Sequence, residues 1–181
     1  MKKEINIFDY AGDIGKALPK GILLTTKHGE KVNTMTIGWG MVGIEWGKSL
    51  FIVYVRESRF TKQLLDQSGE FTINVPYGEF DKSILGYCGT KSGRDVDKIK
   101  ECGLTLEEPV VIKTPGIKEF PLTLECRVIY KQDQDPDAIP EAIKKRYYPQ
   151  DVDSTASGSN RDYHTAYYGE IVSAYILQEE K

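Results

Sequence analysis

Three short stretches hold the residues that could do chemistry on a ligand. They are NTMT (33–36) leading to Trp39, VRESRFT (55–61) and CGTKSGRDVDK (88–98). Together they supply Arg56, Arg59, Lys91, Arg94 and Lys98 as cations, with Ser58, Thr61, Thr90 and Ser92 as hydroxyls. Such a donor set suits a phosphorylated, hydroxyl-bearing ligand, because a phosphate takes guanidinium forks, an ammonium and hydroxyl or main-chain N–H donors. Each charge-assisted hydrogen bond contributes about 1.5–3 kcal/mol net. Three or four of them hold a phosphate near micromolar affinity, about −8 kcal/mol, after association costs. The segment VNTMTIGWG (32–40) has a different character. It places small hydroxyls and glycines where a core strand would carry branched or aromatic residues. Either it is a frayed sheet edge, or a flat heterocycle lies against it.

Taken singly, the same residues have plainer readings. Arg56, Arg59, Lys91 and Arg94 also read as solvated charges beside Glu57, Asp95 and Asp97. Ser58 and Ser92 also suit a helix cap or a turn, and Trp39 and Trp46 a core or an interface.

The elements that must position these residues are mostly strands. GILLTTK (21–27) leads through a turn at 28–30 into a long extended run ending at Ile44, and SLFIVYV (49–55) is the strongest strand pattern. Ser58 caps a helix with apolar members Phe60, Leu64 and Leu65, which Gly69 ends. EFTINVP (70–76) alternates as a half-buried strand. Short helical pieces follow near 80–87 and 96–101, then strands at PVVI (109–112) and 122–131. A surface helix is expected over 135–146, a mobile loop at DVDSTASGSN (151–160), and a last strand over 167–177. Strands that do not alternate with crossover helices argue for a closed or nearly closed antiparallel barrel. GxxxxGK[ST] does not occur, and GxGxxG occurs only as GWGMVG (38–43), inside the extended run and not between a strand and a helix, so a bound nucleotide would be held in another way.

Composition narrows the class. The 181 residues are 40% hydrophobic and 28% charged, which suits one domain over 1–181 with a single core. Lys and Arg are outnumbered 24 to 27, against an oligonucleotide-binding barrel or any general nucleic-acid role. No apolar run approaches a membrane span, and the N-terminal residues carry no signal-like apolar stretch, so a cytoplasmic protein is expected. Cys88, Cys102 and Cys126 form no even framework and no ligand spacing, and His28 and His164 lie far from any CxxC pair, so no metal site is expected. Cys102 and Cys126 read as buried thiols; Cys88 reads as a buried thiol or a redox-active one.

From Gly21 to Leu177 the chain resembles the flavin reductase-like, FMN-binding split-barrel family, specifically its flavoredoxin-type branch. The resemblance is carried by VNTMTIGWG with Trp46, by VRESRFTKQLLDQSGEFTINVP (55–76), by CGTKSGRDVDK and by HTAYYGEI (164–171). It implies a mainly β, six-stranded antiparallel split barrel with short inserted helices that forms a homodimer and binds FMN noncovalently near the subunit interface. It puts Asn33, Met35 and Thr36 on the flavin ring and ribityl chain, with Trp39 packed close by. Arg56, Ser58, Arg59 and Thr61 would take the ribityl hydroxyls and phosphate, with Lys98 completing the anion site and Cys88 and Ser92 in the matching loop. His164 falls at the mouth of the site, as a flavin or nicotinamide contact or simply a satisfied strand-start histidine. The implied activity is electron transfer from NADH or NADPH through FMN, as a flavin reductase, or as an electron carrier reduced by a redox protein partner.

Overall fold

A computed structural model describes residues 1–178. In chain order the elements are β1 (Lys2–Glu4), α1 (Ile7–Ala17), β2 (Ile22–His28), β3 (Lys31–Ile37), β4 (Gly40–Glu45), β5 (Lys48–Arg56), α2 (Phe60–Ser68) and β6 (Glu70–Val75). They continue with α3 (Ser83–Thr90), α4 (Lys98–Glu101), β7 (Leu106–Glu107), β8 (Gly116–Ile117), β9 (Leu122–Asp133), α5 (Glu141–Tyr147) and β10 (His164–Leu177). The main sheet is antiparallel and runs β3-β2-β6-β9-β10-β5-β4, with β1 added beside β10. Its two end strands, β3 and β4, are joined by only Gly38 and Trp39. A seven-strand path whose ends lie two residues apart must curl into a nearly closed barrel, and its open seam falls between β3 and β4.

Strand alternation builds the interior. Along β5, Phe51, Val53 and Val55 point into the core while Ile52 and Tyr54 stay half-exposed. Phe71, Ile73 and Val75 of β6 meet Leu122, Leu124 and Cys126 of β9 and Tyr167 of β10 in the same cluster. Gly169 lies at a register shift between β9 and β10, and a Cβ there would collide with the Phe71 ring. A second cluster lies outside the barrel, where Ile84, Leu85 and Cys88 of α3 cover Leu23 together with Leu104, Ile117 and Phe120. It fixes α3 beside β3, and with it the 88–98 stretch.

Several expectations are corrected. The sheet has eight strands rather than the six the resemblance implies, because the extended run to Ile44 breaks at Gly38–Trp39 and β1 pairs with the C-terminal end of β10. PVVI (109–112) is a bent loop, not a strand. The N–H groups of Val110, Val111 and Ile112 turn instead to the fully buried Glu125 carboxylate, at 2.6, 2.7 and 3.2 Å. A buried carboxylate needs such donors, and that need overrides the β-propensity of the valines. Helix α1, capped by the Asn6 side chain at the Phe8 N–H, was not foreseen. The 151–160 stretch is a loop, as expected, with contacts of its own: Asn160 Nδ2 donates to Ser154 O and Ala156 O at 3.3 and 3.0 Å, and Ser58 Oγ donates to Ser154 O at 3.2 Å.

Candidate functional site

Two cavities adjoin along β3. The wider, about 430 Å³, is lined by Asn33, Met35, Ser58 to Thr61, Cys88 to Asp95, Lys98 and Ser154–Thr155. The other, about 310 Å³, is lined by Met35 to Trp39, Tyr54, Arg56, Arg59, Gly89, Tyr147, Gly158–Ser159 and His164. Met35, Arg59 and Gly89 belong to both walls, so the two form one elongated cleft. Its combined size is that of a small-molecule or cofactor site.

All twelve residues singled out from the sequence line this cleft. Asn33, Ser58, Thr61, Cys88, Ser92 and Lys98 stand in the wider part, Thr36, Trp39, Arg56 and His164 in the narrower, and Met35 and Arg59 at the join. Strand β3 supplies one wall, and its small residues leave room. The buried Asn33 amide donates to Thr61 Oγ1 at 2.8 Å, which ties β3 to α2. The same amide packs so tightly on Gly93 that a Cβ there would collide with it. Thr36 Oγ1 donates to Leu85 O at 2.7 Å and locks β3 to α3.

The wider cavity is built for an anion. Helix α2 begins there with Arg59 at its N-cap and no side-chain cap, so the partial positive charge of its N-terminus faces the space. Arg94 Nη1 donates to Ser58 O at 3.0 Å and lies 5.4 Å over the Phe60 ring, shaping the rim. Lys98 is 5% exposed, and its ammonium donates to Thr34 O at 3.0 Å and Cys88 O at 2.8 Å. With only carbonyls as partners, burial pushes its pKa down to about 8. Arg59 is half-buried, and among the described residues its guanidinium makes no hydrogen bond and no ion pair; burial likewise lowers its pKa. Two cations held out of water with no carboxylate in contact create a strong preference for an incoming anion.

Arg56 is spent differently. It is 7% exposed, and Nη1 donates to Asn160 O at 3.4 Å, to Asn160 Oδ1 at 3.3 Å and to Asp162 O, while Nη2 reaches Tyr147 O at 3.0 Å. It also lies 5.2 Å over the Tyr148 ring. These contacts tie the 147–162 segment over the barrel end. Through them Tyr147, Ser154, Thr155, Gly158 and Ser159 reach the cleft. Sequence reasoning missed all five; the signal for the last four was the concentration of Ser, Thr and Gly between 151 and 160, and nothing local marked Tyr147.

The narrow part is aromatic. Trp39 meets Tyr147 edge-on at 5.3 Å and the tilted His164 ring at 4.7 Å. His164 is 7% exposed, with Nδ1 3.0 Å from Tyr148 Oη, which itself donates to Gln134 Oε1 at 2.8 Å. A tyrosine hydroxyl has one proton, so His164 Nδ1 carries the hydrogen in their contact. Burial, reinforced by Arg56 and Arg59, pushes the His164 pKa down to about 3 and keeps the ring neutral. Cys88 is buried in the wall of the wider part, and burial raises its thiol to about 12, so it stays protonated at neutral pH. Among the described residues, no three His, Cys, Asp or Glu side chains gather in a metal-binding arrangement. No helix among them is long and apolar enough to cross a membrane.

Three comparisons bear on this cleft. The family model described as "Flavin reductase like domain" matches residues 16–181. An uncharacterized protein of Archaeoglobus fulgidus is 39% identical over 100 residues, 55% of this chain and 55% of that one. The chain thus spans little more than half the length of that curated relative. A flavoredoxin of Methanosarcina acetivorans is 27% identical, with a TM-score of 0.63 covering 87% of this chain and 68% of that one. An FMN-binding protein of Thermus thermophilus with bound 1-cyclohex-2-enone, 19% identical, has a TM-score of 0.60 over 85% of this chain and 68% of that one. At that identity the likeness is one of fold: the barrel is of the FMN-binding split-barrel type.

Proposed function

This chain belongs to the flavin reductase-like family, and we propose that its cleft binds FMN and that the protein is an NAD(P)H-dependent flavin oxidoreductase. The observation that carries the reading is the pairing of Arg59 and Lys98, two buried or half-buried cations without a carboxylate in contact, in the wall of the wider part of a cleft whose narrow part is aromatic. That donor set fits the flavin's parts. Arg59, Lys98, Ser58, Thr61, Ser92 and the α2 N-terminus would hold the phosphate and ribityl hydroxyls. Asn33, Met35 and Thr36 would border the ring, and Trp39 and His164 would close its far side. Bound FMN supplies the hydride and electron chemistry, accepting hydride from NADH or NADPH and passing electrons to an acceptor. The chain's own residues orient the ring, neutralise the tail and exclude water. Neutral His164 keeps an unprotonated Nε2 and brings no charge to the ring end.

A second reading is favoured by the likeness to a flavoredoxin. In it the protein carries electrons on FMN for a redox protein partner and does not turn over a nicotinamide. Anaerobic addition of NADH and then NADPH to the FMN-loaded chain separates the two. Bleaching of the flavin band within seconds supports the reductase; a stable band supports the carrier; loss of flavin on loading and desalting, with no turnover of free FMN, contradicts both.

We also propose that a second copy covers an exposed apolar face. Met41, Ile52, Tyr168 and Tyr130 lie side by side across β4, β5, β10 and β9. Trp46, 60% exposed, joins them 6.1 Å from Tyr130 on a tight turn whose two central residues both have positive φ. A sheet face of this kind suits an isologous contact with itself. Sedimentation is expected to give a dimer; a stable 20.4 kDa monomer at micromolar concentration contradicts it.

A further inference from the structure

The cleft wall contains a feature that flavin binding does not use. Cys88 Sγ lies 4.0 Å from Cys102 Sγ, and both thiols are free. Cys88 sits in α3, is 1% exposed and faces the wider cavity; Cys102 directly follows α4 and is half-buried at the edge of the second apolar cluster. The segment between them is the cavity wall itself: Gly89 to Asp95 and Lys98 all line the space. Lys98 stands one helical turn before Cys102 and donates to the main-chain carbonyl of Cys88. The two sulfurs therefore bracket the anion-binding loop, and the ammonium of that loop leans on one of the two cysteines.

We propose that Cys88 and Cys102 form a thiol oxidation site, a reversible dithiol–disulfide pair whose closure loosens the anion end of the cleft. The oxidant is hydrogen peroxide. Cys102, the more exposed thiol, attacks through the small fraction that is ionised, burial having raised its pKa; the O–O bond breaks, hydroxide leaves and is protonated to water, and the sulfur becomes a sulfenic acid. Cys88 then attacks that sulfur. The S–S bond forms, the S–O bond breaks, and the oxygen leaves as a second water carrying the Cys88 proton. Two thiols and one peroxide give one disulfide and two waters. Closure draws the sulfurs from 4.0 Å to about 2.05 Å. The end of α3 and the residue after α4 must shift together, and Lys98, held between Thr34 O and Cys88 O, shifts with them. The coupling to ligand rests on the flavin reading; the pair itself does not.

The test treats the purified full chain with hydrogen peroxide and reads intact mass, thiol labelling and FMN affinity. The expected result is loss of two hydrogens with two thiols blocked, reversed by dithiothreitol, retained in Cys126→Ser and absent in Cys102→Ser. Cys102 lies at the edge of its cluster, so that variant supplies the control even if Cys88→Ser fails to fold. Oxygen addition without loss of two hydrogens, or a disulfide that survives in Cys102→Ser, overturns the pair. FMN is expected to bind the oxidised form at least about fivefold more weakly, and by linkage to shift the dithiol–disulfide equilibrium toward the dithiol by the same factor. Equal affinity for the two forms overturns the coupling. Failure of FMN to bind either form counts against the proposed function and the coupling, while the mass reading decides the pair without any flavin.

Discussion

Arg56 and Arg59 stand three residues apart at one strand-to-helix junction and border the same cleft, yet their donors go to different places. Arg56 spends its guanidinium on Asn160, Asp162 and Tyr147 and holds a distant segment over the barrel end. Arg59 meets no acceptor among the described residues and lies where the two cavities join. On the proposed reading, the difference divides two arginines of one junction between the fold and the ligand according to whether the guanidinium is already paired.

The largest effect expected from this contrast is on folding. Arg56→Met leaves several buried carbonyls without donors and should lower the unfolding free energy by about 3 kcal/mol, measured by chemical denaturation. An unchanged denaturation midpoint would erase the distinction. Next, Arg59→Ala should weaken FMN binding at least about tenfold, roughly 1.4 kcal/mol. It should also leave the unfolding free energy within about 0.5 kcal/mol of the parent. If the two variants exchange these effects, the roles are reversed.

The 55–61 stretch was legible because its chemistry is local: strand end, hydroxyls and helix start follow one another in the chain. The seam at Gly38–Trp39 was half legible, since the small residues of β3 were noticed but not the break they permit. Arg56 looked like Arg59 because its acceptors lie on residues 147, 160 and 162, and no local pattern announces partners so far along the chain. PVVI misled for the same reason, its conformation being set by Glu125 from another strand. Helix α1 has Gly12 and Gly15 inside it and only Ile7 and Ile14 fully buried, which makes a weak apolar stripe.

A smaller effect sharpens the contrast through pH. The folded-state pKa of Lys98, about 8, lies below its ordinary 10.5. Between those values the unfolded chain binds a proton that the folded chain has lost, so stability should rise with pH across that window. FMN affinity should fall over the same window, because the ammonium that faces the phosphate loses its charge. Lys98→Met should flatten both slopes, and parallel slopes of one sign would contradict the assignment. The smallest effect concerns His164, whose folded pKa of about 3 lies below its ordinary 6.5. Only the unfolded chain binds that proton between the two values, so stability should fall as pH drops from about 6.5 toward 3. His164→Gln should lessen the slope in acid denaturation.

The most direct test of the central claim is a calorimetric titration of the chain with FMN and, separately, with riboflavin, which has the same ring and ribityl chain but no phosphate. If Arg59 and Lys98 hold the phosphate, FMN binds at least about tenfold more tightly than riboflavin, and Arg59→Ala removes most of the difference. Equal affinity for the two ligands, or a preference that survives Arg59→Ala unchanged, would contradict the account.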